Sequence, residues 1–219
     1  MLYIVATPIW NLEDITFRAI KTLQNVDYIA CEDTRTSKVL LNHYEIKNKL
    51  ISFHSYSKQN KIDTIISKLK DWKNIALISD AWTPWISDPW YVLIKEAIKE
   101  KIKISPIPWV SAVITGLSAS GLKSNHFLYL WFLPIKKWRQ TILTKLKEIK
   151  ETVIIYESVH RIIRTLNDLQ KYLWDNKYIV VWRELTKKFE ELKRGKVKDI
   201  INYYKNNPSK IKWEFVIMF

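Results

Sequence analysis

Short apolar runs alternate with amphipathic stretches along the whole chain. Residues 2–6, 28–31, 50–53, 75–79 and 102–105 are rich in aliphatic side chains, the pattern of strands buried on both faces of a parallel sheet. Between them, residues 12–23, 37–43, 59–71 and 90–99 read as helices. In the third of these, Ile62, Ile65, Ile66 and Leu69 recur at helical spacing with lysines between them. The second half repeats the theme less regularly, with strands expected over 127–132, 153–156, 178–182 and 213–219 and helices over 139–149, 160–173 and 197–204. Alternation of this kind predicts an α/β protein built on mainly parallel strands. A domain seam is expected between residues 116 and 125, where Ser120, Gly121 and Ser124 cluster without apolar periodicity, giving domains over 1–118 and 119–219.

Composition changes this picture in three ways. Thirty-six Lys and Arg against 22 Asp and Glu leave a formal charge of +14 over 219 residues, which favours a polyanionic partner such as nucleic acid. The single cysteine, Cys31, rules out an intramolecular disulfide and a cysteine-rich zinc site, and suits a reducing cytoplasm. Met1 leads straight into an apolar run without a basic leader, and the longest uncharged stretch, 104–122, contains prolines and hydroxyl residues. Neither a secretory signal nor a membrane span is expected. His43, His54, His126 and His160 lack metal-ligand spacing, and no metal site is expected.

The third feature is a glycine deficit. Three Gly stand beside eleven Trp, whereas a chain of this length ordinarily has about 7% Gly. The Trp sit where turns call for Gly: three within the run 79–90 after an apolar strand, and others in Pro108-Trp109, Asp71-Trp72-Lys73-Asn74 and Leu173-Trp174-Asp175-Asn176. A base-stacking surface would instead gather its aromatics on one face. The scatter of these Trp over separate turns reads as a gene in which UGA specifies glycine and the standard code writes tryptophan.

With glycine restored, residues 79–90 become a glycine-rich loop after a parallel strand, at the sheet edge where open α/β folds bind ligands. Asp80 and Asp88 offer acceptors for ribose hydroxyls or an amine. No phosphate-loop lysine and no dinucleotide fingerprint accompanies them, which favours S-adenosylmethionine over a nucleotide phosphate.

Six ordered runs then share one resemblance: Thr7-Pro8-Ile9-Trp10-Asn11-Leu12-Glu13-Asp14, Cys31-Glu32-Asp33-Thr34-Arg35, residues 79–90, Pro108-Trp109-Val110-Ser111-Ala112, Tyr156-Glu157-Ser158-Val159-His160-Arg161 and Arg183-Glu184-Leu185-Thr186-Lys187-Lys188. Together they resemble the ribosomal RNA small subunit methyltransferase I family, of tetrapyrrole-methylase fold, over essentially the whole chain. The resemblance implies a two-domain α/β architecture with a mainly parallel N-terminal sheet and a mixed C-terminal sheet. It further implies a homodimer and methylation of a cytidine 2′-oxygen in the decoding centre of 16S ribosomal RNA. S-adenosylmethionine would lie in a cleft between the domains, against Pro8, Asp80, Ala81, Trp82, Thr83, Ser111, Ala112, Tyr156, Trp182 and Trp213. Val110 and Val159 depart from the family pattern, where proline is expected, and the chain resembles members that lack a C-terminal extension.

Methyl transfer to a ribose hydroxyl needs alignment and a route for the departing proton, but no metal. Glu32, Asp33, Glu184 and Lys187 are the candidate catalytic residues, with Glu157 and His160 nearby in sequence. Arg35, Arg161, Arg183 and Lys188 are candidates for phosphate contacts. The basic run Lys136, Lys137, Arg139, Lys145 and Lys147 reads either as a solvated face or as a further RNA contact. Two alternatives stay open: a tetrapyrrole methyltransferase of the same fold, and a non-enzymatic RNA-binding protein.

Overall fold

The computed structural model describes residues 1–53, 59–79, 91–108 and 110–219. These form two compact units, Met1–Ser111 and Ala112–Phe219.

The first unit alternates β1 (Leu2–Val5), α1 (Phe17–Asn25), β2 (Tyr28–Cys31), α2 (Thr34–His43), β3 (Lys49–Ser52), α3 (Gln59–Lys70), β4 (Ile75–Ile78), α4 (Tyr91–Lys99) and β5 (Ile104–Ile107). The strands lie in the order β3-β2-β4-β1-β5, and every described pairing is parallel. β4 is buried along its whole length because both sheet faces are covered. Ile75 and Leu77 pack with Ile65, Leu69 and Leu93 of α3 and α4. Ala76 and Ile78 pack on the other face with Ala19, Leu23 and Leu41 of α1 and α2. Full burial of each such aliphatic side chain contributes about 1.5–3 kcal/mol, so the apolar runs select this sandwich.

Two expected boundaries shift for local reasons. The helix expected over 12–23 is interrupted: Leu12–Asp14 is a single tight turn, and α1 starts afresh where the Thr16 hydroxyl accepts the Ala19 N–H. The strand expected over 102–105 begins later. Ile102 donates back to the Ala97 carbonyl to close α4, with Lys101 left-handed at φ 57°.

The second unit contains α5 (Ala112–Ser118), β6 (Phe127–Phe132), α6 (Arg139–Lys145), β7 (Thr152–Glu157), α7 (Ile162–Leu173), β8 (Tyr178–Arg183), β9 (Glu191–Lys196), α8 (Val197–Asn206) and β10 (Phe215–Met218). Sheet order is β6-β7-β10-β8-β9; β6 and β7 are parallel and the other pairs antiparallel. Val153, Ile155, Val181 and Ile217 face α6, α7 and α8, while Ile154, Val180, Trp182 and Val216 face α5. α5 packs on β10, so residues 112–118, placed before the seam on sequence grounds, belong to this second unit. β9 had no sequence signal: Glu-Leu-Lys-Arg-Gly-Lys is an edge strand with one apolar anchor, Leu192.

Backbone conformation bears directly on the tryptophans. Six of the seven described ones, Trp10, Trp72, Trp131, Trp138, Trp174 and Trp213, have φ between 57° and 73°. Trp72 follows α3 in a turn closed by Lys73 N–H to Lys68 O at 3.0 Å, the C-terminal helix position glycine most often fills. Trp174 ends α7 in the same region of φ, and Trp131 falls where the β6–β7 register shifts, a bulge position suited to glycine. Trp10, Trp72, Trp138, Trp174 and Trp213 are all exposed. Their indoles therefore gain little burial while their backbones adopt a conformation bulky residues disfavour.

Candidate active site

In the first unit the sheet itself sets the site. The connection after β1 runs to β2 on one side and that after β4 runs to β5 on the other, so neighbouring β1 and β4 form a switch point at their carboxyl ends. There the Thr7 hydroxyl donates to the Ser79 carbonyl at 2.8 Å, joining the two strand ends, with Pro8 buried beside Thr7. Ser111 is half-buried after β5. Asp80, Ala81, Trp82 and Thr83, expected at the cofactor, and Asp88 lie outside the described residues, as do Trp109 and His54.

β2 delivers Glu32, half-buried, and Asp33 to the same edge. Asp33 caps α2 by accepting the Arg35 N–H at 2.8 Å, and its carboxylate also takes the Arg35 guanidinium, with Nη2 at 2.8 Å. The Arg35 hydrogen bonds hold the Asp33 carboxyl down to about 2. A carboxylate so reluctant to take a proton is a weak base at neutral pH. Arg35 itself is exposed at the start of α2.

In the second unit three strand ends converge. Tyr156, Val216 and Trp182 stand in register across β7, β10 and β8, followed by the row Glu157, Phe215 and Arg183. The half-buried Tyr156 ring lies 5.3 Å from both Tyr129 and Trp131 and 6.0 Å from Phe132, an aromatic cluster at the end of β6. Trp182 is buried on the α5 face, and Ala112 begins α5.

The charged residues beyond this row divide into two groups. Glu157 is fully buried and saturated: it accepts Ser158 N–H at 2.7 Å, the Thr165 hydroxyl at 2.5 Å and Arg161 Nε at 2.8 Å. Arg161 also donates to the Leu133 carbonyl at 3.0 Å. Arg183 is 5% exposed, pairs with Glu184, and donates to the Phe189 carbonyl at 2.8 Å. Arg161 and Arg183, expected at RNA, and Glu184, expected in catalysis, all make these internal contacts at the end of the sheet. Lys187 and Lys188 differ. Lys188 is exposed, while half-buried Lys187 follows a turn in which Glu184 and Thr186 are left-handed at φ 52° and 70°. The Lys187 ammonium sits 3.8 Å from the Trp213 ring centroid. Burial pushes it below the ordinary lysine range, with Glu184 and Glu214 acting in the opposite sense. Burial raises Glu214 above the usual carboxylate range, opposed by Lys187. Glu214 had no sequence reading of its own; its only signal was its place next to Trp213.

A sequence model of the Tetrapyrrole (Corrin/Porphyrin) Methylases matches residues 1–201. A Buchnera aphidicola protein named Ribosomal RNA small subunit methyltransferase I is 46% identical over 213 residues, covering 97% of this chain and 75% of its own length. The protein of that name from Haemophilus influenzae is 45% identical over 219 residues, covering 100% of this chain and 77% of its own. The chain belongs to the ribosomal RNA small subunit methyltransferase I family. The Escherichia coli O157:H7 member is 43% identical over 218 residues, 99% of this chain and 76% of its own length. The chain therefore spans about three-quarters of the length of these relatives. A solved cobalt precorrin-4 methyltransferase matches with a TM-score of 0.73 at 16% identity, covering 99% of this chain and 93% of that one. A diphthine synthase matches with a TM-score of 0.73 at 12% identity, covering 99% and 88%. At such identities these two establish the fold, which is the two-sheet α/β architecture expected from the motifs. Family membership likewise agrees with the six runs.

Proposed function

We propose that this chain methylates the 2′-oxygen of a cytidine in the decoding centre of 16S ribosomal RNA, using S-adenosylmethionine and acting as a cytoplasmic homodimer. The observation that carries the reading is identity of 43–46% to ribosomal RNA small subunit methyltransferase I proteins over nearly the whole chain. The charge of +14 supports an RNA acceptor over a tetrapyrrole. Among the described residues no helix is long and apolar enough to cross a membrane.

The residues suit the cofactor. The β1–β4 switch point is braced by Thr7 and Ser79 and carries no phosphate-loop lysine in its sequence, and the Tyr129–Tyr156 cluster offers aromatic faces for a sulfonium or an adenine. Pro8, Ser111 and the 80–83 run would hold it from the first unit, and Ala112, Tyr156 and the backbone at 182 and 213 from the second. Bound S-adenosylmethionine supplies the methyl as an activated sulfonium, so a carbon–oxygen bond forms as a carbon–sulfur bond breaks. The protein's task is to align the hydroxyl and remove its proton. Lys187 is our candidate to accept that proton: with tryptophan at 213, burial makes its neutral form more accessible than in an ordinary lysine. Arg35 and Lys188 remain at the surface for phosphate contact.

The test is transfer of labelled methyl to small ribosomal subunits, with the product mapped on the RNA and a tetrapyrrole acceptor run in parallel. Label on a cytidine ribose is expected. Label on the tetrapyrrole alone would transfer the reading to the alternative acceptor, and absence of cofactor binding would leave only an RNA-binding protein.

A further inference from the structure

We infer that the second unit carries an RNA-backbone anchor on the sheet face opposite Tyr156 and Trp182, built by Lys136, Arg164 and Lys171. This rests on the RNA reading above but concerns a different surface.

With tryptophan at 138 as part of its wall, the chain forms a concave pocket of about 260 Å³ between the loop after β6, α6 and α7. Four of its lining residues are cations, Lys136, Arg139, Arg164 and Lys171, against one carboxylate, Asp168. That carboxylate is matched by Arg139, which is buried and donates through Nε at 2.8 Å. Arg139, part of the basic run singled out in the sequence, is thereby a structural residue. Its pairing with Asp168 leaves three surface cations around the pocket. Lys147 adds a fourth: its ammonium and that of Lys171 both lie over the Tyr172 ring, at 5.8 and 5.6 Å from its centroid.

The wall is fixed. Arg139, Arg161 and Arg164 donate to the carbonyls of Pro134, Leu133 and Ile135, so three arginines pin three successive residues of the loop. Spacing then selects the anion. Arg164 and Lys171 lie seven residues apart on one face of α7, their backbones about 10 Å apart along the axis. A polymer with phosphates at intervals can meet both cations over such a span without drawing their side chains together. α6 and α7 cover the sheet face that bears Val153, Ile155 and Val181, whereas Tyr156 and Trp182 pack toward α5. The anchor therefore holds RNA without touching the residues proposed for the cofactor.

The test combines K136Q/K171Q and R164Q in the full chain. Binding to a small-subunit ribosomal RNA fragment is titrated across salt concentrations, alongside steady-state methyl transfer and cofactor titration. The triple variant is expected to lower the slope of log affinity against log salt by about 2, at 0.7–0.9 per lost phosphate contact. KM for RNA should rise while kcat and cofactor affinity hold. K136Q/K171Q removes only exposed side chains and should give about two-thirds of the slope change, which guards against misfolding through R164Q. An unchanged slope and KM in a wild-type background that does methylate RNA would overturn the anchor, as would a fall in kcat or in cofactor affinity. Inorganic phosphate at matched ionic strength is expected not to compete; full competition would assign the pocket to a single anion instead. Failure of the wild-type chain to bind RNA at all would instead strike the functional reading.

Discussion

The Trp182 indole N–H donates to the Gly116 carbonyl at 3.0 Å, binding β8 to α5 across 66 residues of chain. A Cβ on Gly116 would stand 3.1 Å from the same ring and 2.6 Å from the Met218 methyl. Among the described tryptophans this is the one that is both buried and free of left-handed backbone. W182G is expected to lower stability by about 3–5 kcal/mol in the absence of ligand. It should also relieve the part of the strain in G116A that comes from the ring, leaving the part from the Met218 methyl, so that the two substitutions couple in a double-mutant cycle of denaturant unfolding. Additive effects would contradict the packing described.

The exposed left-handed positions predict the opposite sign. W72G, W10G and W174G are each expected to stabilise by about 0.5–1 kcal/mol, relief of the left-handed penalty outweighing the extra freedom of glycine in the unfolded chain. Urea unfolding of each variant decides it, and destabilisation at all three would refute the turn argument.

The same geometry supports a decoding proposal. Protein isolated from its own cells is expected to carry glycine at 10, 72, 131, 138, 174 and 213, read by peptide mass spectrometry. Tryptophan masses there, or UGG codons in the gene, would end the idea. The Gly-restored chain should bind S-adenosylmethionine more tightly than the all-Trp chain, and equal affinities would count against it.

If Lys187 takes the ribose proton, the rate should rise with pH through its lowered value, and K187M should cost about 10²–10⁴ in kcat. Glu214 raises the Lys187 value, so E214Q should move the ascending limb to lower pH. A limb that stays in place would assign the proton to another group.

Arginine substitutions should separate surface from frame. R35Q is expected to cost RNA affinity and reduce the salt slope by about 1 with stability little changed. R183M leaves Glu184 buried without its cation and should destabilise by about 3–5 kcal/mol. D33N keeps a capping side chain on α2 and should retain methyl transfer; its inactivity at full folding would restore Asp33 as a catalytic group.

The strands of the first unit were legible because parallel strands buried on both faces leave unbroken aliphatic runs, as Ile75 to Ile78 do. β9 was not, since an edge strand needs only Leu192 to face inward. The six motifs located the strand ends that carry Pro8 and Glu32 in the first unit and Tyr156 and Lys187 in the second, but local sequence did not disclose which charges would be spent internally. Arg183 and Lys188 read alike in the run 183–188. Only tertiary pairing, with Glu184 beside one and solvent around the other, separates a brace from a surface contact.

The turn at Trp72 has a consequence for how the gene tolerates error. An indole there reaches into solvent while the helix before it closes normally, so misreading that codon leaves a protein of the same topology. At 182 the opposite error, glycine in place of tryptophan, would remove the ring that packs with Gly116, Met218 and Leu192. Translational fidelity thus carries unequal weight along one message, slight where residue 72 or 174 is read and severe where the ribosome reaches the interior of β8.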